Sequence, residues 1–391
     1  MDVGKLRAWW WCRQGLDGSL GKAAPGEVLA RSGWARSVGG SNPYLSVFAR
    51  AGTDRAKIDK SVAALDIYEL PSARGCTYVV PAEHFGLALQ VGRGAPEADV
   101  KTLAKLGVER AEIDKLCARV RKVLDGVESL DPGGLKDALG DAVRNLGEEG
   151  RKRGQTTTLP AALGLLQAAG EIRRVPVNGR LDNQRYAYTR WDPPRSGLDD
   201  AAARTELARC YFDWIGPASL ANFRWFSAYT VAHAKAAIAP LGLVEVGDDL
   251  LATERTAAEF AAFRPPAKPQ YALLAGIDAL VLLRRDHRSL MDDADAARTV
   301  PGDRQAIGDQ ADLPDHPIVD RGRIVGLWQY DAVDGRIVWW LFAGGKPDKA
   351  LAAAIERTEA YVRDQLGDAR SFSLDSPKSR APRLAALRQA G

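Results

Sequence analysis

The chain has 391 residues, of which 46% are hydrophobic and 27% charged, with a net charge of +4. That length exceeds what one core organises and predicts about two to four compact units of an ordinary soluble protein. A membrane span and a cleavable leader are excluded from the expectation, because Trp9-Trp10-Trp11 is a short apolar cluster flanked by Arg7 and Arg13.

In chain order, residues 5–15 predict a helix with Leu6 and Trp10 turned inward. Three consecutive tryptophans on one helix cannot share a face, so at least one is expected to be exposed. A second helix follows Pro25, over 26–31, and then a glycine-rich irregular segment over 33–42. Pro43 suits the first turn of a helix over 43–51. Asp54 is placed to cap 55–65, where Ile58, Val62 and Leu65 share a face. Strands over 67–70 and 76–80 then flank a turn at 72–75. Residues 96–130 read as a charged linker, mostly one helix through Ile113, Leu116 and Val120, and Asp131-Pro132-Gly133-Gly134 breaks it.

The next stretch holds a short helix over 135–139, a basic loop over 147–154, and a helix over 159–169 stopped by Gly170. Strands over 171–177 and 184–191 flank Asn178-Gly179, a strong hairpin signal. After a linker over 192–197, Leu207, Cys210, Tyr211 and Trp214 recur at i, i+3, i+4 and i+7. Gly216-Pro217 stops that helix, Ser219 is placed to cap a second, and Ser227 a third with Val231, Ala234 and Ile238 on one face. A hairpin over 243–252 turns at Gly247-Asp248-Asp249. Beyond Pro265-Pro266 the character is β, over 272–283, 318–319, 323–330 and 336–342, with a turn at Asp334-Gly335. A helix over 347–366 closes the unit and a polar, basic tail over 371–391 is expected to fray.

Helices joined by tight turns and closed by a small hairpin thus recur three times. The expected class is α+β: winged helices over 1–95, 131–195 and 196–262, a helical linker over 96–130, and a β-barrel-like unit with a closing helix over 263–391. Cys12, Cys76, Cys117 and Cys210 are scattered, as are the four histidines, so neither a zinc site nor another metal site is expected, and the reducing cytoplasm is the default. No phosphate-binding glycine motif is present, and no cofactor is expected. At +4, a nucleic-acid surface has to come from local clustering.

Arg151, Lys152 and Arg153 lie between glycines, where a backbone can approach phosphate, and Gln155 and Thr156 open the helix that follows. Arg173, Arg174, Arg180 and Arg185 surround the second hairpin, and Arg36 stands in the glycine-rich segment. These are the candidate DNA-binding residues. A solvated surface is the plain alternative for each.

Several segments, in order over some 300 residues, resemble the winged-helix DNA glycosylases of the AlkZ and YcaQ type. They are Arg13-Gln14-Gly15-Leu16, Pro43-Tyr44-Leu45-Ser46-Val47-Phe48-Ala49-Arg50, Arg74-Gly75-Cys76-Thr77-Tyr78-Val79-Val80-Pro81, the Gly216-Pro217-Ala218 turn, Leu273-Leu274-Ala275-Gly276-Ile277-Asp278, and Gly322-Arg323-Ile324-Val325-Gly326-Leu327-Trp328. The resemblance implies a metal-free monomer that binds damaged duplex DNA and hydrolyses the N-glycosidic bond of alkylated or crosslinked purines. It also implies a Gln-x-Gln or Gln-x-Asp pair just before residue 43, where this chain has Arg36-Ser37-Val38-Gly39-Gly40-Ser41-Asn42. Two readings stay open. In one, excision survives, with Ser41 or Asn42 positioning the water and a carboxylate such as Asp182, Glu148 or Glu149 reaching in. In the other, the protein binds DNA without excision, as a regulator or a lesion-recognition factor. Asp278 reads as structural.

Overall fold

The computed structural model describes residues 1–183, 185–300 and 305–391. Gln184, the expected first residue of a strand, lies outside them. The first helix, α1 (Val3–Arg13), has Asp2 as its cap, the carboxylate accepting from the Lys5 amide. All three tryptophans on it are buried, at 8%, 2% and 1% exposure, which corrects the expectation of an exposed one. The helix is enclosed on several sides, and each indole N–H finds an acceptor. Trp9 donates to the Gly216 carbonyl at 2.8 Å, Trp10 to that of Pro217 at 3.1 Å, and Trp11 to Gln270 Oε1 at 3.0 Å. Leu6 and the tryptophans share a core with Leu274, Val319 and Leu327, far along the chain.

The first helix–hairpin unit runs through α2 (Pro25–Ser32), β1 (Ala35–Arg36), α3 (Asn42–Ala51), α4 (Arg55–Ala63), β2 (Ile67–Pro71) and β3 (Thr77–Pro81). Its sheet has the order β1-β3-β2, so Val79 lies between Ala35 and Glu69. Helix α5 (Phe85–Gly92) follows. The expected single linker helix is two, α6 (Glu97–Ala104) and α7 (Arg110–Asp125), with Gly107 between them at φ +74°. A left-handed residue cannot continue an α-helix, and glycine adopts that conformation without steric cost.

In the second unit α7 leads through an isolated bridge, Leu130 to Tyr188, into α8 (Pro132–Leu139). The expected basic loop is partly helical, α9 (Gly147–Lys152), with Glu148 and Glu149 in its first turn and Arg151 and Lys152 in its last. That charge order complements the helix dipole. Then come α10 (Leu159–Ala168) and the antiparallel pair β4 (Ile172–Pro176) and β5 (Tyr186–Arg190).

The third unit has α11 (Asp200–Ile215), β6 (Ala218–Ser219), α12 (Leu220–Ser227), α13 (Val231–Ile238), β7 (Val244–Gly247) and β8 (Leu250–Ala252), in the sheet order β6-β8-β7. Ser219 caps α12 in a reciprocal box with Asn222. Thr230, not Ser227, caps α13, because Ser227 closes the preceding helix with its hydroxyl on the Phe223 carbonyl.

After α14 (Glu254–Ala262) the chain builds an antiparallel sheet from β9 (Tyr271–Leu273), β10 (His316–Asp320), β11 (Arg323–Asp331) and β12 (Arg336–Leu341), in the order β12-β11-β10-β9. It is open rather than a barrel. β9 is only three residues long because Asp278 caps a short helix, α15 (Ala279–Leu282), where strand was expected. A further turn of helix, α16 (Asp293–Ala296), precedes β10. The sheet edges are covered instead of joined: α17 (Lys349–Tyr361) packs against β9 and α18 (Pro377–Ala390) against β12.

That last helix replaces the frayed tail. Leu384 and Leu387 are buried, and Arg380, Arg383 and Arg388 pair with Asp368, Asp315 and Asp331. The whole is a mixed α/β fold with small antiparallel sheets. No helix among the described residues is long and apolar enough to cross a membrane.

Candidate functional site

The first and second units meet along a cleft whose walls come from β2, β4 and the segment 36–39. On β4, neighbouring arginines point to opposite faces. Arg173 turns to Tyr68, donating to its hydroxyl at 3.0 Å. Arg174 turns into the cleft, its guanidinium 5.1 Å from the centre of the Tyr186 ring.

Arg174, Glu69, Gly75 and Thr77 together form the wall between two adjoining cavities of about 600 and 770 Å3. Both volumes fall in the range of about 300–1,000 Å3 usual for small-ligand sites. The smaller cavity continues along Arg36, Ser37, Val38 and Gly39, and its mouth is flanked by Phe372 and Leu374. Leu374 is 90% exposed, an unusual setting for so large an apolar side chain. The larger cavity reaches Arg74, Lys136, Thr156 and Thr157.

Glu69 lies at the junction and is 6% exposed. Its Oε1 accepts from the Ser37 hydroxyl at 2.5 Å, while Oε2 makes no hydrogen bond of normal geometry within the chain. Burial pushes its pKa above the ordinary carboxylate value; Arg174, the Ser37 hydroxyl, Tyr186 and Arg36 pull it partly back. The Nε of Arg174 and the hydroxyl of Ser72 are also buried without a partner. Glu69 and Arg174 share the cavity wall, and buried polar atoms there suit a polar ligand. Sequence reasoning passed over Glu69. The available signal was one carboxylate inside the otherwise apolar run Ile67-Tyr68-Glu69-Leu70, since an acidic residue is rarely fully buried without a partner.

The candidate residues of the glycine-rich segment are also buried. Ser41 donates through Oγ to the Arg370 carbonyl at 3.1 Å. Asn42 donates to the Arg36 carbonyl at 2.7 Å and accepts from the Ser46 hydroxyl at 3.1 Å. That hydroxyl also contacts Asp278 Oδ2 at 2.9 Å. Asp278 is held by Arg50 through two bonds of 2.8 and 2.9 Å, and Arg50 by Gln14 in turn. Asn42 therefore belongs to a buried network beneath the cleft, and Ser41 ties the segment to the C-terminal strap.

The cationic candidates divide. Arg36 and Arg174 share the smaller cavity, and Thr156 shares the larger one with Arg174. Arg36 donates to the Thr77 carbonyl and stacks over Tyr78. Arg180 is chelated by Asp182, and Gln155 donates to Asp99 at 3.1 Å. Arg151, Lys152 and Arg153 are exposed and line neither cavity; Lys152 is paired with Glu149 at 2.9 Å. Arg185 is exposed on the hairpin. The three carboxylates considered as helpers, Asp182, Glu148 and Glu149, are likewise absent from both cavities. Among the described residues no group of three His, Cys, Asp or Glu is placed to hold a metal ion.

Residues 35–371 match the family model described as DNA glycosylase AlkZ-like. Among solved structures, the fold is similar to that of the Streptomyces sahachiroi DNA glycosylase AlkZ, with a TM-score of 0.69 and 22% identity, covering 95% of this chain and 98% of that one. A comparison with curated protein sequences finds no match.

Proposed function

The chain belongs to the AlkZ-like DNA glycosylase family, and from that premise we propose that it binds damaged duplex DNA as a monomer and hydrolyses the N-glycosidic bond of alkylated or crosslinked purines in the cleft between its first two units. The observation that carries this reading is the double cavity with Glu69 and Arg174 in its dividing wall. An extruded nucleotide requires a concave site of about this size, and excision requires a polar group beside the sugar. We read the three helix–hairpin units as winged helices. In each, the backbone just after the first helix pairs with the last strand of the hairpin, as in β1-β3-β2, β6-β8-β7 and the Leu130–Tyr188 bridge. On this reading the second winged helix starts at α7.

DNA would run over the exposed cations Arg151, Arg153 and Arg185, with Arg36 and Arg174 at the cavity itself. We assign Ser41 and Asn42 to holding the segment 36–42 in shape, on the support that the donor and acceptor groups of Asn42 and the hydroxyl of Ser41 already have protein partners.

The test is to incubate the protein with duplex DNA carrying N7-methylguanine or an interstrand crosslink and to probe for abasic sites. Abasic product is expected on cationic alkylpurines, whose activated bases leave most easily. The second reading, lesion recognition without excision, draws on the missing glutamine pair. It predicts preferential binding of modified DNA with no abasic product.

A further inference from the structure

We propose that Glu69 is the catalytic carboxylate of this protein, the group that takes a proton from the attacking water while Arg174 and Tyr186 hold that carboxylate in place. The inference rests on the glycosylase reading and names the residue that performs it. Glu69 is on a strand, fixed by pairing with Val79, and its side chain is locked by the Ser37 hydroxyl on one oxygen. The other oxygen is buried and set in the wall shared by both cavities, with the Tyr186 hydroxyl and the Arg174 guanidinium nearby. A carboxylate oxygen has more than one acceptor site, so in a cavity wall it keeps capacity for a water or a substrate hydrogen.

Hydrolysis would proceed by attack of water oxygen on the sugar C1′ as the C1′–N9 bond breaks. The bonding electron pair leaves with the purine, so a cationic N7-alkylpurine departs neutral. One water proton passes to Glu69, and the hydroxyl remains on C1′ of the abasic sugar. The carboxylate also places negative charge beside the oxocarbenium-like centre. The groups that face Glu69 are Arg36 next to Ser37, and Arg174 and Tyr186 across the cleft; Cys76 and Asp375 line the same cavity. Because burial raises the carboxyl above its ordinary range, the deprotonated, active form accumulates at a pH closer to neutrality than for a free glutamate.

The test uses the full chain and a duplex bearing a single N7-methylguanine, following abasic-site formation, DNA binding by anisotropy, and thermal unfolding. Glu69→Gln is expected to bind the duplex within a few-fold of the wild type and to excise about a hundredfold more slowly or worse. The wild-type rate should rise with pH along a limb that Glu69→Gln lacks. A Glu69→Gln variant that keeps both the rate and the limb overturns the assignment and leaves the glycosylase reading intact. A wild-type chain that binds alkylated DNA but never excises overturns both. Should Glu69→Gln fold poorly, Ser37→Ala decides: removing a hydrogen bond to the carboxylate should move the limb to higher pH, and an unmoved limb overturns the proposal.

Discussion

Asp278 is a residue whose structural character can be read from sequence while its partner cannot. Arg50 lies 228 positions earlier, and both side chains are completely buried. Burial alone would push the Asp278 carboxyl up, yet Arg50, the Leu280 amide and the Ser46 hydroxyl together hold it below the usual 3.8. A carboxylate depressed on folding stabilises the protein above its unfolded pKa, and that contribution is lost as pH falls through the lower folded value. Asp278→Ala leaves a buried, uncompensated guanidinium and should cost about 3–5 kcal/mol in denaturant unfolding at neutral pH. Asp278→Ala with Arg50→Met should recover part of that loss. The same limit hid the setting of Glu69: a lone acidic residue in an apolar run shows up in sequence, but the cavity it lines is completed by β4 and by residues beyond 370.

Local signals located most elements and failed where distant packing decides. The capping box at Ser219, the Asn178-Gly179 turn and the break at Gly216-Pro217 are short-range physics and were legible. The helix α18 was not, because its arginines look like a solvated tail until Asp315, Asp331 and Asp368 are brought beside them. Three histidines show the same dependence on context. Burial lowers the pKa of His84, His287 and His316 from the ordinary 6.5. His316 is fixed as a neutral tautomer, accepting from the Gly276 amide at 2.9 Å while Nε2 meets the Ala369 carbonyl at 2.6 Å. A histidine lowered on folding takes up protons more readily when unfolded, so its stabilising share is present above about 6.5 and shrinks as pH falls below it. The unfolding temperature should therefore drop between pH 7.5 and 5.5, and His316→Gln should reduce that drop. A flat profile would mean that folding leaves the proton affinity of these rings unchanged.

For the molecule as a whole, a net charge of +4 gives little general attraction for DNA, so the arrangement of cations matters more than their number. Binding should weaken with salt by about 0.9 log units per log unit of salt for each phosphate neutralised. Changing Arg151 and Arg153 together to alanine should flatten that slope by about one to two such units if the DNA crosses α9. An unchanged slope places the DNA elsewhere. Arg174→Ala, by contrast, should impair excision more than affinity, since Arg174 lies within the cavity wall and not on the open surface. The succession of helices and small hairpins was legible in the sequence; how the first two hairpins face each other was not, because no local pattern encodes the angle between them.

The strap at residues 370–373 ties the architecture to the order of synthesis. The Ser41 amide bonds to the Arg370 carbonyl, and the Ser373 amide to that of Val38, so the cavity's loop finds its backbone partners in residues translated 329 positions later or more. A nascent chain can fold its early units long before that strap exists. The cavity wall can close only when translation is nearly finished, so an abortive chain ending before residue 370 should fold its early helices and hairpins without a completed cavity.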